Sequence, residues 1–139
     1  MDEHVKAAVD AFRDGMPVCL FDSENRAGET DMLFPRQSAQ PATMRQFRQD
    51  CGGLLFLAIG HDVGELFSLP FLQDLHTQDS LTEQFPVLRQ LVTNDLRYDA
   101  RSAFTRSLNH RDTYTGITDV DRSLTTRRFA ELTNELMES

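Results

Sequence analysis

The chain is poor in cysteine and in long apolar runs, and each shortage excludes a class of protein. Cys19 and Cys51 are its only cysteines. Two thiols cannot build a disulfide framework, and neither stands in a metal-ligand spacing; Cys19 reads as a small packed hydrophobe. His4, His61, His76 and His110 are scattered, with no His-x-x-x-His pair, so the sequence offers no all-protein zinc site. No apolar stretch approaches the length that crosses a bilayer. The start, Met1-Asp2-Glu3-His4-Val5-Lys6, lacks the basic end and apolar core of a signal peptide. A cytoplasmic location and no membrane partner are the expectations. Basic residues are scarce as well: 14 Lys and Arg against 22 Asp and Glu give a net charge of −8. Such a field disfavours the phosphate contacts that drive nucleic-acid binding. A phosphorylated small molecule stays open if a few arginines gather locally.

What is present describes one globular domain over residues 1–139, with 40% hydrophobic and 26% charged residues and enough length to bury a core. Val5, Ala8, Val9 and Phe12 recur at helical spacing, with Asp2 as cap and Gly15 as stop. Pro17 leads into a short apolar strand at 17–21, and Met32-Leu33-Phe34 reads as a second strand closed by Pro35. Residues 41–51 predict a helix with Pro41 in its first turn. Gly52-Gly53 ends it before Leu54-Leu55-Phe56-Leu57-Ala58-Ile59, a continuous apolar run of the kind found in central strands. A short helix is expected at 62–67, and a helical patch around Phe85, Val87, Leu88 and Leu91. The stretch 73–100 otherwise reads poorly. Residues 102–110 alternate, placing Phe104, Arg106, Leu108 and His110 on one strand face, where Arg106 is the odd member. It meets solvent, a substrate or a buried partner. A last helix over about 120–137 carries Leu124, Phe129, Leu132 and Leu136, with Asp119 as its cap. Helices and strands alternate without repeats or linkers, which predicts an α/β or α+β fold with a mixed sheet flanked by helices.

The most informative segment is Asp22-Ser23-Glu24-Asn25-Arg26-Ala27-Gly28-Glu29-Thr30-Asp31. Asp22, Glu24, Glu29 and Asp31 crowd around Arg26 and Gly28 just past a strand end. Carboxylates this close repel one another unless a cation sits among them or they spread into water. A Mg²⁺-assisted site on a polar substrate is one reading, since Mg²⁺ takes a few carboxylates plus waters and substrate oxygens. A solvated turn is the other, and the loop alone favours it.

Taken in order, several segments resemble one family. Asp22 through Met32, Asp50-Cys51-Gly52-Gly53-Leu54, Leu69-Pro70-Phe71, Tyr98-Asp99 and Asn109 through Arg122, with its Thr115-Gly116-Ile117-Thr118 turn, are similar to 3,4-dihydroxy-2-butanone 4-phosphate synthase of the archaeal type. The likeness runs through nearly all of the chain. It implies a lyase of riboflavin biosynthesis that converts ribulose 5-phosphate into formate and a four-carbon phosphate. It also implies a homodimer dependent on Mg²⁺ or Mn²⁺. Enolisation beside a carbonyl needs a positioned base and a stabilised enediolate. By the resemblance, Asp22 is catalytic and binds substrate hydroxyls, Arg26 holds the loop or neutralises charge, and Glu29 does acid/base or metal-associated work. Thr115 and Thr118 contact substrate, Asp31 supports the loop, and His110 is structural.

Three departures from the family pattern set a further expectation. The loop of the family reads Arg-Glu-Gly-Glu, and its first glutamate is a metal ligand; here Ala27 stands there. The strand after the glycine pair carries a cysteine at the substrate site; here it is Phe56, and Cys51 lies five residues earlier. The family chain also continues into Pro-Gly-His and Gly-His-Thr-Glu segments that are not among these 139 residues. Without those ligands little or no synthase activity is expected of this chain alone. A working synthase in pieces, a silent paralogue that pairs with a complete synthase or binds a sugar phosphate, and a decaying gene product are the alternatives.

Overall fold

The computed structural model describes residues 2–92 and 97–138. Their contacts gather into two compact units, one drawn from Met1–Ala58 and Leu108–Ser139, the other from Ile59–Ser107. The architecture is mixed α/β.

In the first unit, helix α1 covers Glu3–Arg13, and the Asp2 carboxylate caps it by accepting the His4 N–H at 2.8 Å. The helix ends at Gly15, as its position in the sequence predicts, with the Met16 N–H on the Ala11 carbonyl. Strands β1 (Val18–Phe21) and β2 (Thr30–Leu33) pair antiparallel, with Val18 opposite Leu33 and Phe21 opposite Thr30. The 3₁₀ turn Arg36–Ser38 then leads into helix α2 (Pro41–Asp50). Helix α6 (Asp119–Met137) closes the unit.

The core of this unit is the seam of α2 with α6. Met44, Ala39 and Ala130 are buried there with Ser123 and Thr133. The small side chains on α6 let the backbones approach, and their hydroxyls are satisfied locally. Ser123 Oγ donates to the Ala39 carbonyl at 2.9 Å, and Thr133 Oγ1 to the Phe129 carbonyl at 2.8 Å. Phe34 and Phe47 meet edge to face at 5.1 Å beside them. The sequence marks Leu124, Phe129, Leu132 and Leu136 as the apolar positions of this helix, yet Leu132 and Leu136 are exposed and the buried stripe is Ser123, Ala130, Thr133.

The second unit consists of α3 (His61–Leu66), α4 (Leu72–His76), α5 (Asp79–Gln84) and a 3₁₀ helix, Pro86–Leu91, where the sequence predicted a helical patch. Residues 93–96 of the hard-to-read stretch lie outside the described residues. Among the described residues of this unit, Val63 and Thr82 are the buried side chains. The segment 101–104 is tied to α4: Leu72 N–H donates to the Phe104 carbonyl at 2.8 Å, Arg101 pairs with Asp74 at 2.6 Å, and its guanidinium lies over the Phe71 ring.

Three sequence expectations fail here. Residues 54–59 form no strand, and Leu54 and Phe56 are 78% and 62% exposed. Residues 102–110 form no strand either, and Arg106 meets solvent at the rim of a cavity of about 280 Å³ lined by Pro70, Leu72 and Leu75. A strand is defined by its neighbour, and among the described residues only β1 and β2 pair. Cys19 and the apolar side chains of β1 are mostly exposed rather than packed, in a sheet that has no third strand among the described residues.

Candidate functional site

The acidic segment is the loop of the β1–β2 hairpin, and it is wound around Asp22. The Asp22 N–H donates to the Glu29 carbonyl at 3.1 Å, one step beyond the last strand pair. Its carboxylate accepts the Ser23 N–H, the Glu29 N–H at 3.1 Å, and, through Oδ2, the Ala27 N–H at 3.1 Å. The amide of Ser23 foremost, with those of Ala27, Glu29 and Gly28, holds the Asp22 carboxyl below its ordinary value; burial opposes them and is second only to the Ser23 amide. Gly28 supplies the turn with φ +66°. The repulsion expected among four carboxylates is thus answered by backbone amides for Asp22 and by water for Glu24, Glu29 and Asp31, all exposed.

The loop therefore presents Glu29 outward from a fixed backbone. Ala27 contributes an amide rather than a ligand. Asp22 has most of its lone pairs engaged. Among the described residues no three His, Cys, Asp or Glu side chains come together as ligands for a metal ion. The donors present do not fit a Mg²⁺ held by protein ligands alone.

The second cluster is the turn from His110 to Thr118. Asp121, in the first turn of α6 and buried, accepts the N–H groups of Tyr114 at 3.1 Å, Thr115 at 3.0 Å and Gly116 at 3.0 Å. Those amides, Thr115 first, outweigh burial and hold its carboxyl below the usual range. Thr115 Oγ1 accepts the Ile117 N–H at 3.3 Å and lies 3.4 Å from Asp121 Oδ2. Thr118 is the N-cap of α6, its Oγ1 accepting the Asp121 N–H at 3.1 Å. The sequence had placed the cap at Asp119, one residue later. Gly116 has φ +76°, and a Cβ there would fall 2.5 Å from Asn109 Oδ1. His110 has a structural position: its N–H donates to Thr125 Oγ1, and its Nδ1 accepts the Asp112 N–H at 3.2 Å.

Of the residues singled out from sequence, Asp22, Ala27 and Glu29 share the hairpin loop with Arg26, while Thr115 and Thr118 share the turn organised by Asp121. Sequence reasoning gave Asp121 no role. A Thr followed three residues later by an acidic residue at the head of a helix was the available signal. No helix among the described residues is long and apolar enough to cross a membrane.

Comparison with known proteins places the chain in a family. The family model for 3,4-dihydroxy-2-butanone 4-phosphate synthase matches residues 6–138. The synthase of Archaeoglobus fulgidus is 44% identical over 128 residues, covering 91% of this chain and 53% of that protein. That of Methanosarcina mazei is 38% identical over 136 residues, covering 96% and 54%. The chain spans about half the length of these relatives. The crystal structure of the Candida albicans synthase superposes with a TM-score of 0.55 at 20% identity, over 91% of this chain and 52% of that one, a likeness of fold.

Proposed function

The chain belongs to the 3,4-dihydroxy-2-butanone 4-phosphate synthase family, and on that premise we propose that it binds ribulose 5-phosphate, or a closely related sugar phosphate, through its acidic loop and its threonine turn. In this reading Glu29 is the acid/base group for enolisation. Asp22 holds the loop and offers its remaining lone pair to a substrate hydroxyl. Arg26 offsets negative charge, and the hydroxyls of Thr115 and Thr118 border the substrate oxygens.

The observation that carries the proposal is the Asp22-centred loop. Its backbone is fixed by three N–H bonds to one carboxylate, while the Glu29 side chain is left to solvent. A base held on a preorganised turn loses little orientation on meeting its substrate.

Turnover is a separate matter. Ala27 supplies no side-chain ligand, and electrostatic stabilisation of the enediolate is the largest contribution such chemistry needs. We therefore assign to this chain binding without efficient lyase chemistry on its own, whether it works with a complementary polypeptide or as a silent paralogue beside a complete synthase.

Two readouts test this. Ribulose 5-phosphate should raise the melting temperature, and proton NMR with ribulose 5-phosphate and Mg²⁺ should show no formate. Formate that disappears on adding a chelator would overturn the assignment of inactivity. Absence of both formate and any ligand-dependent shift would overturn the binding role.

A further inference from the structure

Arg106 is left unused by the site described above. It breaks an apolar row in the sequence, is exposed, and enters no ion pair among the described residues. The chain that carries it is firmly held. The Leu72 N–H, at the head of α4, has no partner inside its helix and donates to the Phe104 carbonyl at 2.8 Å. The Ser102 N–H donates to Gln73 Oε1 at 3.3 Å, and Arg101 holds Asp74 at 2.6 Å. The same Arg101 guanidinium lies 4.3 Å from the centre of the Phe71 ring. These contacts fasten residues 101–104 along the start of α4.

Just past that fastening, Thr105, Arg106 and Ser107 line a cavity of about 280 Å³ together with Pro70, Leu72 and Leu75. The two segments bring different chemistry to it. Leu72 and Leu75 stand three apart on α4 and so share a face; with Pro70 they supply apolar lining. The other segment supplies a guanidinium and two hydroxyls. Asp74, the carboxylate of α4, is already engaged by Arg101, so it does not answer the charge of Arg106. Apolar lining with a few polar groups and one charge is the composition of a small-molecule site.

We propose that this cavity binds a small carboxylate with an apolar body, its carboxylate on Arg106 and its body against Pro70, Leu72 and Leu75. A guanidinium offers parallel N–H donors to the two oxygens of a carboxylate, and the hydroxyls of Thr105 and Ser107 border the same oxygens. One cation answers one negative charge. A phosphate-type dianion would keep an uncompensated charge there, in a chain whose net charge is −8. Small-molecule pockets run upward from about 300 Å³, so the occupant is compact, a single ring or a short branched chain. The cavity lies within the second unit. It uses none of the residues assigned above to ribulose 5-phosphate and stands or falls apart from that reading.

The test uses the full chain with sodium benzoate and sodium isovalerate, a ring and a branched chain, followed by amide-correlation NMR at constant ionic strength. At least one of them should shift the amides of residues 72–75 and 105–107 in a saturable way. Acetate, which has the charge without the body, and benzyl alcohol, which has the body without the charge, should each bind at least tenfold more weakly. Arg106→Gln should weaken binding tenfold or more, as expected for loss of a hydrogen bond to a charged group. Arg106→Lys should retain more affinity than Arg106→Gln, and Arg13→Gln on α1 should leave it unchanged. No saturable shift with either carboxylate, shifts confined to other residues, or an unchanged affinity in Arg106→Gln would overturn the proposal. So would acetate or inorganic phosphate binding as tightly as the better carboxylate, since the apolar lining would then contribute nothing.

Discussion

Thr118 and Asp121 cap each other's segments: the Thr118 hydroxyl accepts the Asp121 N–H, and the Asp121 carboxylate in turn gathers the amides of Tyr114, Thr115 and Gly116. The head of α6 and the turn before it are thereby one hydrogen-bonded unit, although only the helix has regular secondary structure.

Replacing Thr118 with alanine removes the cap. Stability should fall by about 1 kcal/mol, the usual cost of losing a Ser or Thr N-cap, and Thr118→Ser should recover most of it. Urea unfolding followed by circular dichroism measures both. An unchanged midpoint in Thr118→Ala would show that the cap is idle.

Acid should loosen the hairpin loop, the seam and the turn together. Asp22, Asp119 and Asp121 all have carboxyls held below their ordinary value of 3.8, by the Ser23 amide, the Arg48 guanidinium and the Thr115 amide respectively. Groups depressed in the folded state contribute stability that is fully present above the unfolded value and is lost as pH falls through the folded one. The melting temperature should therefore change little between pH 7 and 5 and drop below 3.8. Asp121→Asn should start lower and slope less. Arg48, raised by the same Asp119 pair, keeps its charge throughout this range and adds no slope.

Burial separates two apolar substitutions that the sequence would treat alike. Met44 is 3% exposed in the α2–α6 seam, whereas Leu54 is 78% exposed. Met44→Ala should cost roughly 2–5 kcal/mol through lost transfer energy and a cavity. Leu54→Ala should stay within about 0.5 kcal/mol. Equal losses at both positions would mean that Leu54 is covered.

The two turn glycines should likewise differ. Gly28 has open space around its missing side chain, so Gly28→Ala costs only the left-handed backbone, about 1–2 kcal/mol. Gly116→Ala carries that cost and also drives a methyl into the Asn109 side chain. Adding Asn109→Ala to Gly116→Ala should restore part of the loss, a coupling that a double-mutant cycle reads directly.

The longer helices α1, α2 and α6 were legible because their signals are local, whereas α4 and α5 lie in the stretch that read poorly and were not foreseen. Asp2 and Gly15 bracket α1, Pro41 opens α2, and the apolar periodicity carries each between its ends. The strands were legible only where both partners are near in sequence, as in the hairpin. The runs at 54–59 and 102–110 carry strand patterns but no pairing among the described residues, and composition cannot report a neighbour. The α6 stripe misled for a different reason: packing against α2 selects small side chains for close approach, so Ser123 and Thr133 are buried while Leu132 is exposed. At the site, the acidic loop was visible as a charge anomaly. Its resolution by backbone amides was not, because an amide carries no sequence signature.

Pairing of Phe21 with Thr30 fixes how many residues lie between the two strands of the hairpin. A slip of one residue along one strand would turn its side chains to the other face. It would also change the length of chain that must close around Asp22, leaving the carboxylate one amide short or the loop too slack to reach it. The ladder thus acts as a ruler for the loop. Variation within β1 or β2 that respects alternation should leave the Asp22 turn intact, whereas a single-residue insertion or deletion in either strand would erase it without touching any residue of the loop itself.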